Sequence, residues 1–212
     1  MYEKKPTLLF DVEGVLIKNH DTKEDMFTSL VVDRTDFNRV WPQEIYRHGT
    51  GETSQDEFIA TLAKRLDRPV TSDLSKSLWY PYAQNLEVHH DVMQKIHALG
   101  SFGVRLGILS NTIPSHADVL RESGIYEPFG EEAVVLSYET GYRKPDKKAF
   151  QIEVGQLDTD PHEIIYFDDN IANVAAARRL DMSAMHVSDI SSLSARLFDL
   201  YRSIAVKESG HF

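Results

Sequence analysis

Two acids, Asp11 and Glu13, close the short apolar run Leu8-Leu9-Phe10, and Gly14 breaks the pattern directly after them. In extended backbone, residues two apart face the same way, so both carboxyls point together. Three further polar clusters follow much later in the chain: Ser110-Asn111, Lys144 and Asp168-Asp169. Brought to one place, Asp11, Glu13, Asp168 and Asp169 would repel, by about 4 kcal/mol for two like charges 4 Å apart at an effective dielectric near 20. A divalent cation removes that conflict, and an all-oxygen donor set favours Mg²⁺. Ser110 and Asn111, expected at a helix N-terminus, offer hydroxyl, amide and backbone N–H groups to an anion. Lys144 adds a point charge. One metal, one lysine, a helix N-terminus and a free carboxylate together suit phosphoryl transfer.

The elements that must position these residues are legible as alternating runs. Leu8–Phe10, Val104–Leu109, Ala133–Leu136, Ile164–Phe167 and Ala184–Val187 read as short buried strands, and helical patterns separate the last four. Such alternation predicts an α/β fold: a Rossmann-like parallel sheet covered by helices on both faces. Parallel strands share one carboxyl edge, so polar clusters at their ends can meet in one crevice. Between Gly14 and about residue 85 the apolar spacing is helical throughout, with Ser54-Gln-Asp-Glu57 as a capping box and Thr71 as a second cap, its short helix ending near Tyr80-Pro81. This block is expected to be a helical cap domain, 17–85, inserted after the first strand of a core made of 1–16 and 86–212. A helix over Val88–Leu99 is expected to stop at Gly100, and one from about Ser115 to close at Gly124. Pro145 is expected at the first position of the helix after Lys144, and the last helix over Leu193 to Ile204, with a polar tail after Val206.

The 212 residues leave room for one full core and a small accessory domain. The apolar share of 42% and charged share of 26% are those of an ordinary globular protein. The absence of cysteine excludes disulfides, zinc–thiolate sites and thiol nucleophiles. A formal charge of −10 argues against a nucleic-acid partner, because phosphate contacts need clustered Lys and Arg. No secretory pattern or membrane-length apolar stretch is present, so a cytoplasmic protein with no membrane partner is expected.

The segments Phe10-Asp11-Val-Glu13-Gly-Val15, Leu109-Ser110-Asn111-Thr112, Arg143-Lys144-Pro145 and Tyr166-Phe-Asp168-Asp169-Asn170 with Asn173 resemble, in order, the four motifs of the haloacid dehalogenase-like (HAD) hydrolase superfamily. The helical block resembles the cap of members such as bacterial sugar-phosphate phosphatases and the N-terminal phosphatase domain of epoxide hydrolase. The resemblance implies a Mg²⁺-dependent phosphatase of a small phosphorylated metabolite, with Asp11 as the nucleophile that becomes an aspartyl-phosphate. It implies that Mg²⁺ takes a carboxylate oxygen of Asp11, the backbone carbonyl of Glu13 and the carboxylate of Asp169, with Asp168 behind them or an occasional ligand. Ser110, Asn111 and Lys144 would hold the phosphate, and Glu13 would serve as general acid/base. In most members the residue two after the nucleophile is aspartate. Glu13 carries its carboxyl one methylene further out, as in the similar Asp-x-Glu-Gly of the superfamily's enolase-phosphatases. The dehalogenase branch usually has tyrosine there, which ranks dehalogenation low.

A phosphomutase of the same superfamily, or a degenerate relative kept as a binding module, are the alternatives. A phosphoacceptor receiver domain fits poorly, because its paired acids precede the acceptor. His89-His90-Asp91 reads as a solvated helix start, His116 as a helix-surface histidine, and Trp41, Tyr46, Trp79 and Tyr82 as core aromatics of the helical block.

Overall fold

The computed structural model describes residues 5–209. Leu8, Leu9 and Phe10 have no exposed surface and form β1 (Thr7–Phe10), the middle strand of a five-stranded, all-parallel sheet. A helical block follows: α1 (Thr22–Leu30), α2 (Arg34–Gly49), α3 (Gln55–Arg65), α4 (Ser72–Lys76) and α5 (Tyr80–Gln84). Then come α6 (His90–Ser101), β2 (Arg105–Ser110), α7 (Pro114–Glu122), β3 (Val134–Leu136), α8 (Ser137–Thr140) and α9 (Lys147–Leu157). The chain ends with β4 (Ile164–Asp168), α10 (Ile171–Arg178), β5 (Ser183–His186) and α11 (Ile190–Ser209).

The strand order is β3-β2-β1-β4-β5, so the chain leaves β1 toward one edge and later returns to build the other. Phe10 is in register with Ile108 of β2 and Phe167 of β4. Side-chain alternation along β1 feeds two cores. Leu8 and Phe10 pack with Ile96 of α6 and Leu193 and Leu197 of α11, whereas Leu9 packs with Phe150 of α9 and Ala177 of α10. Burial on both faces is why β1 reads as an unbroken apolar run. Each fully buried Phe or Leu contributes about 1.5–3 kcal/mol relative to exposure.

The helical block has a cluster of its own, built from Met26, Phe37, Trp41, Phe58, Leu62 and Leu78 and touched by Ile113 of the segment before α7. The capping box forms as expected: the Glu57 N–H donates to Ser54 Oγ at 3.3 Å, and the Ser54 N–H to Glu57 Oε2 at 2.8 Å. Thr71 caps α4, accepting from the Leu74 N–H. The single short helix expected there is two, α4 and α5, and Tyr82 of α5 joins the sheet's core. No helix among the described residues is long and apolar enough to cross a membrane.

Four helices begin or end elsewhere than expected. Pro145 does not open α9: the Lys144–Pro145 bond is cis, and the Asp146 side chain caps α9 by accepting from the Lys148 N–H. Aspartate is a strong N-cap, which places the first helical residue one position later still. The proline at a first helical position is instead Pro114, with Ile113 as N-cap, so Ser110-Asn111-Thr112 forms a connector rather than the helix start itself. Gly100 lies inside α6, and α11 begins before Leu193 and continues through Val206 to Ser209.

Candidate active site

β1 and β4 are neighbours whose sequence connections run in opposite directions, and the crevice beyond such strands is where open α/β sheets place ligands. Asp11 stands one residue beyond β1, its N–H donating to Phe167 O at 2.9 Å, and Asp168 is the last residue of β4. The chain then turns tightly through Val12, which accepts from Leu16 N–H at 2.8 Å. Gly14 adopts φ +73°, and a Cβ there would lie 2.3 Å from Asp169 Oδ2. Only glycine lets this turn approach Asp169 so closely.

The Lys144 ammonium, almost fully buried, joins the two strand ends: Nζ lies 2.8 Å from Asp11 Oδ1 and 2.9 Å from Asp168 Oδ2. Asp168 is saturated. Its Oδ1 accepts from the Asn170 N–H at 2.7 Å and Asn173 Nδ2 at 3.2 Å, and its Oδ2 accepts from Asn173 as well as from the Tyr166 hydroxyl. Burial alone would raise its pKa, but Lys144 and these hydrogen bonds outweigh burial and hold the carboxyl below its usual range. Asp11 goes the other way. Burial pushes it up to about 7 and the Asp168 charge adds to this, with Lys144 opposing only in part. A carboxylate so destabilised is one that a cation would relieve.

Asp11, Asp168 and Asp169 each bring a carboxylate oxygen within 4.8 Å of the others. Asp169 Oδ2 accepts from Asn19 Nδ2 at 2.9 Å, and its backbone carbonyl accepts from His186 Nε2 at 2.8 Å. The Glu13 side chain is about one-third exposed. Ser110 is buried at the end of β2. Both polar atoms of the Asn111 side chain are committed to the Lys144 backbone, at 2.8 and 2.9 Å.

The structure thus gathers Asp11, Glu13, Ser110, Asn111, Lys144, Asp168 and Asp169 at one sheet edge. It does not gather His89-His90-Asp91: His90 opens α6 exposed, and Asp91 pairs with Lys95 and Ser194. Trp41 is core in the helical block, while Tyr46 and Trp79 are substantially exposed. His116 is not on the surface. It is 5% exposed, stacked on Tyr82, with Nδ1 3.7 Å from Glu13 Oε1. Sequence reasoning also missed Asn19, His186 and the Tyr166 hydroxyl, and only the position of Tyr166 inside a strand-end motif hinted at a role.

A family model described as haloacid dehalogenase-like hydrolase matches residues 5–181. The chain belongs to that family, and it is an enzyme of the hydrolase class. The sesquiterpene phosphatase astK of Aspergillus oryzae is 32% identical over 87 residues, covering 41% of this chain and 44% of astK, less than half of that relative. Pyrophosphatase PpaX of Bacillus pumilus is 25% identical over 181 residues, covering 81% of this chain and 78% of PpaX. The solved HAD family enzyme BT-2542 of Bacteroides thetaiotaomicron superposes with a TM-score of 0.74 at 20% identity, over 87% of this chain and 94% of its own. Its complex with magnesium and inorganic phosphate superposes at 0.68, again at 20% identity, over 86% and 94%. At that identity the likeness is one of fold.

Proposed function

We propose that this hydrolase is a Mg²⁺-dependent phosphatase acting on a small phosphorylated metabolite through an aspartyl-phosphate on Asp11. The observation that carries the reading is the buried Asp11–Lys144–Asp168 array at the ends of adjacent strands, with Asp169 beside it. The relatives support it, since two are named phosphatases and BT-2542 takes up magnesium and phosphate.

A divalent cation fits the donors: all are oxygens, and Asp11 carries a charge that burial and Asp168 disfavour. Asp11, Asp169 and the backbone carbonyl of Glu13 would hold Mg²⁺, and Asp168, whose oxygens are already engaged, would stand behind them. Bound there, Mg²⁺ supplies positive charge against the phosphoryl oxygens. Lys144 holds Asp11 in place and presents the second positive charge to the phosphoryl group, while Asn111 fixes the Lys144 backbone. Ser110 and the backbone N–H groups after β2 complete the phosphate site.

In the first step an Asp11 carboxylate oxygen attacks phosphorus, the bond from phosphorus to the leaving oxygen breaks, and Glu13 gives that oxygen a proton. In the second, Glu13 takes a proton from water. The water oxygen attacks phosphorus and the Asp11–phosphorus bond breaks, releasing phosphate. The helical block, 17–85, acts as the cap that excludes bulk water and admits small substrates.

The test is phosphate release from p-nitrophenyl phosphate and a panel of phosphorylated metabolites, with and without Mg²⁺. Turnover that requires Mg²⁺ and disappears in Asp11→Asn is expected. Equal turnover without metal, or in a folded Asp11→Asn protein, would overturn the reading.

A further inference from the structure

His116 sits where α7, the helical block and the turn after β1 converge, and no part of the mechanism above uses it. Its Nε2 lies 2.9 Å from the carbonyl oxygen of Leu78 and 3.2 Å from Thr22 Oγ1, both in the helical block. A carbonyl oxygen only accepts, so Nε2 carries a hydrogen and the ring orientation is set from the block's side. Tyr82 stacks on the ring face, with centroids 3.7 Å apart and planes 10° from parallel. The remaining ring nitrogen, Nδ1, faces Glu13 Oε1 at 3.7 Å. That gap is a few tenths of an ångström beyond hydrogen-bond range, and such bonds commonly tighten only once substrate is bound. The buried Tyr82 hydroxyl also faces the Glu13 carboxyl, whose charge and hydrogen bond help push the phenol's pKa up. Glu13 is therefore approached by the stacked pair, His116 and Tyr82, and not by His116 alone.

We infer that His116 is the positioning residue for Glu13: with a hydrogen on each ring nitrogen, as imidazolium, it donates from Nδ1 to Oε1, so that Oε2 is the oxygen that exchanges protons with the leaving group and then with water. Because Leu78 and Thr22 fix the ring, the acid/base is correctly aimed only while the helical block packs over the core as it does here. The inference rests on the acid/base reading of Glu13 and adds the residue through which the block controls it. A long carboxyl arm explains the need. Glu13 has one more rotatable bond than aspartate, and an unheld carboxyl at this half-open position would sample several rotamers.

The experiment compares two conservative variants on two substrates. His116→Gln keeps an amide near Nε2 for Leu78 but leaves nothing at Nδ1. His116→Asn keeps a polar atom near Nδ1 but loses Leu78. An alkyl phosphate needs a proton on its leaving oxygen, whereas p-nitrophenolate leaves largely without one. His116→Gln should lower kcat/KM, which reports the step that expels the leaving group, by roughly 10–100-fold for the best alkyl phosphate, the usual effect of a misplaced catalytic group. Its kcat/KM for p-nitrophenyl phosphate should fall only a few-fold, while kcat, which includes the shared attack of water, can fall for both. His116→Asn should recover part of the alkyl loss. If His116 were only a packing residue, His116→Gln would be the milder change and both substrates would lose kcat/KM equally; that outcome overturns the inference, as does unchanged kcat/KM in both variants. Glu13→Gln run alongside separates the two ideas. If it shifts the alkyl-to-aryl ratio and His116→Gln does not, His116 alone is excluded; if Glu13→Gln leaves the ratio unmoved, the acid/base reading fails and takes the inference with it. Should His116→Gln not fold, the same ratio in His116→Asn and Thr22→Val decides: a ratio at the wild-type value in both overturns the role, and a fall in either sustains it.

Discussion

The side-chain amide of Asn111 brackets the peptide of Lys144, accepting from its N–H at 2.8 Å and donating to its carbonyl at 2.9 Å. The end of β2 thereby sets the backbone from which the lysine reaches Asp11. Asn111→Ala should leave Lys144 present but loosely aimed. Activity should fall roughly 10²-fold, the cost of misplacing a catalytic group by about 1 Å. The folded state should lose about 1–3 kcal/mol for the unsatisfied groups. Steady-state kinetics beside urea unfolding would check both, and wild-type kcat/KM in the variant would contradict the positioning role.

Asp11→Asn keeps the shape of the nucleophile and removes its charge. Intact-mass measurement after rapid quench should find a phosphate adduct on the wild-type protein and none on the variant. Because Asp11 is held in a costly charged state, the variant should be no less stable than wild type. An adduct that survives in Asp11→Asn would move the nucleophile elsewhere.

Asp168 and Asp169 should separate cleanly although they are adjacent. Asp168 has no exposed surface, so Asp168→Ala leaves the buried Lys144 with Asp11 as its one carboxylate and the Tyr166 and Asn173 donors without their acceptor, and should cost about 3–5 kcal/mol of stability. Asp169 is only partly buried, and Asp169→Ala should keep the fold while weakening Mg²⁺ binding. Thermal unfolding with and without Mg²⁺ distinguishes them. A Mg²⁺-induced rise in midpoint that persists in Asp169→Ala would refute its role as a ligand.

Glu153 of α9 is wholly buried, and neither carboxyl oxygen has a hydrogen-bond partner among the described residues. Burial pushes its pKa well above 4.5, outweighing the opposing Lys144 charge. The folded chain therefore keeps a proton that the unfolded chain releases. The stability tied to that proton is fully present below about pH 4.5 and is lost as pH rises toward the folded value. Glu153→Gln should flatten the decline, so its melting temperature should gain on the wild type between about pH 5 and pH 8. Parallel melting curves across that range would show that Glu153 does not titrate in this way.

What the sequence determined by itself is local in origin. Leu8-Leu9-Phe10 and Ile164–Phe167 are strands because sheets covered on both faces need unbroken apolar runs. The polar residues ending those runs mark the edge where Asp11, Lys144, Asp168 and Asp169 assemble. The caps at Ser54 and Thr71 are equally local, since each bonds within its own first turn. Read from the sequence, α9 opens at Pro145, and only the backbone path after Lys144 moves the cap to Asp146. Tertiary structure alone decided the partners of Asn111, 33 residues away, and of Asn19, which reaches Asp169 across 150 residues. It also decided the fate of His116. Helical periodicity says which face of α7 carries the histidine, but burial depends on what covers that face. Here the cover is Leu78, Tyr82 and Thr22, brought back from a segment that precedes His116 by 94 residues at Thr22. A side chain's environment is set by neighbours in space, and those neighbours come from elements whose packing no single window of sequence contains.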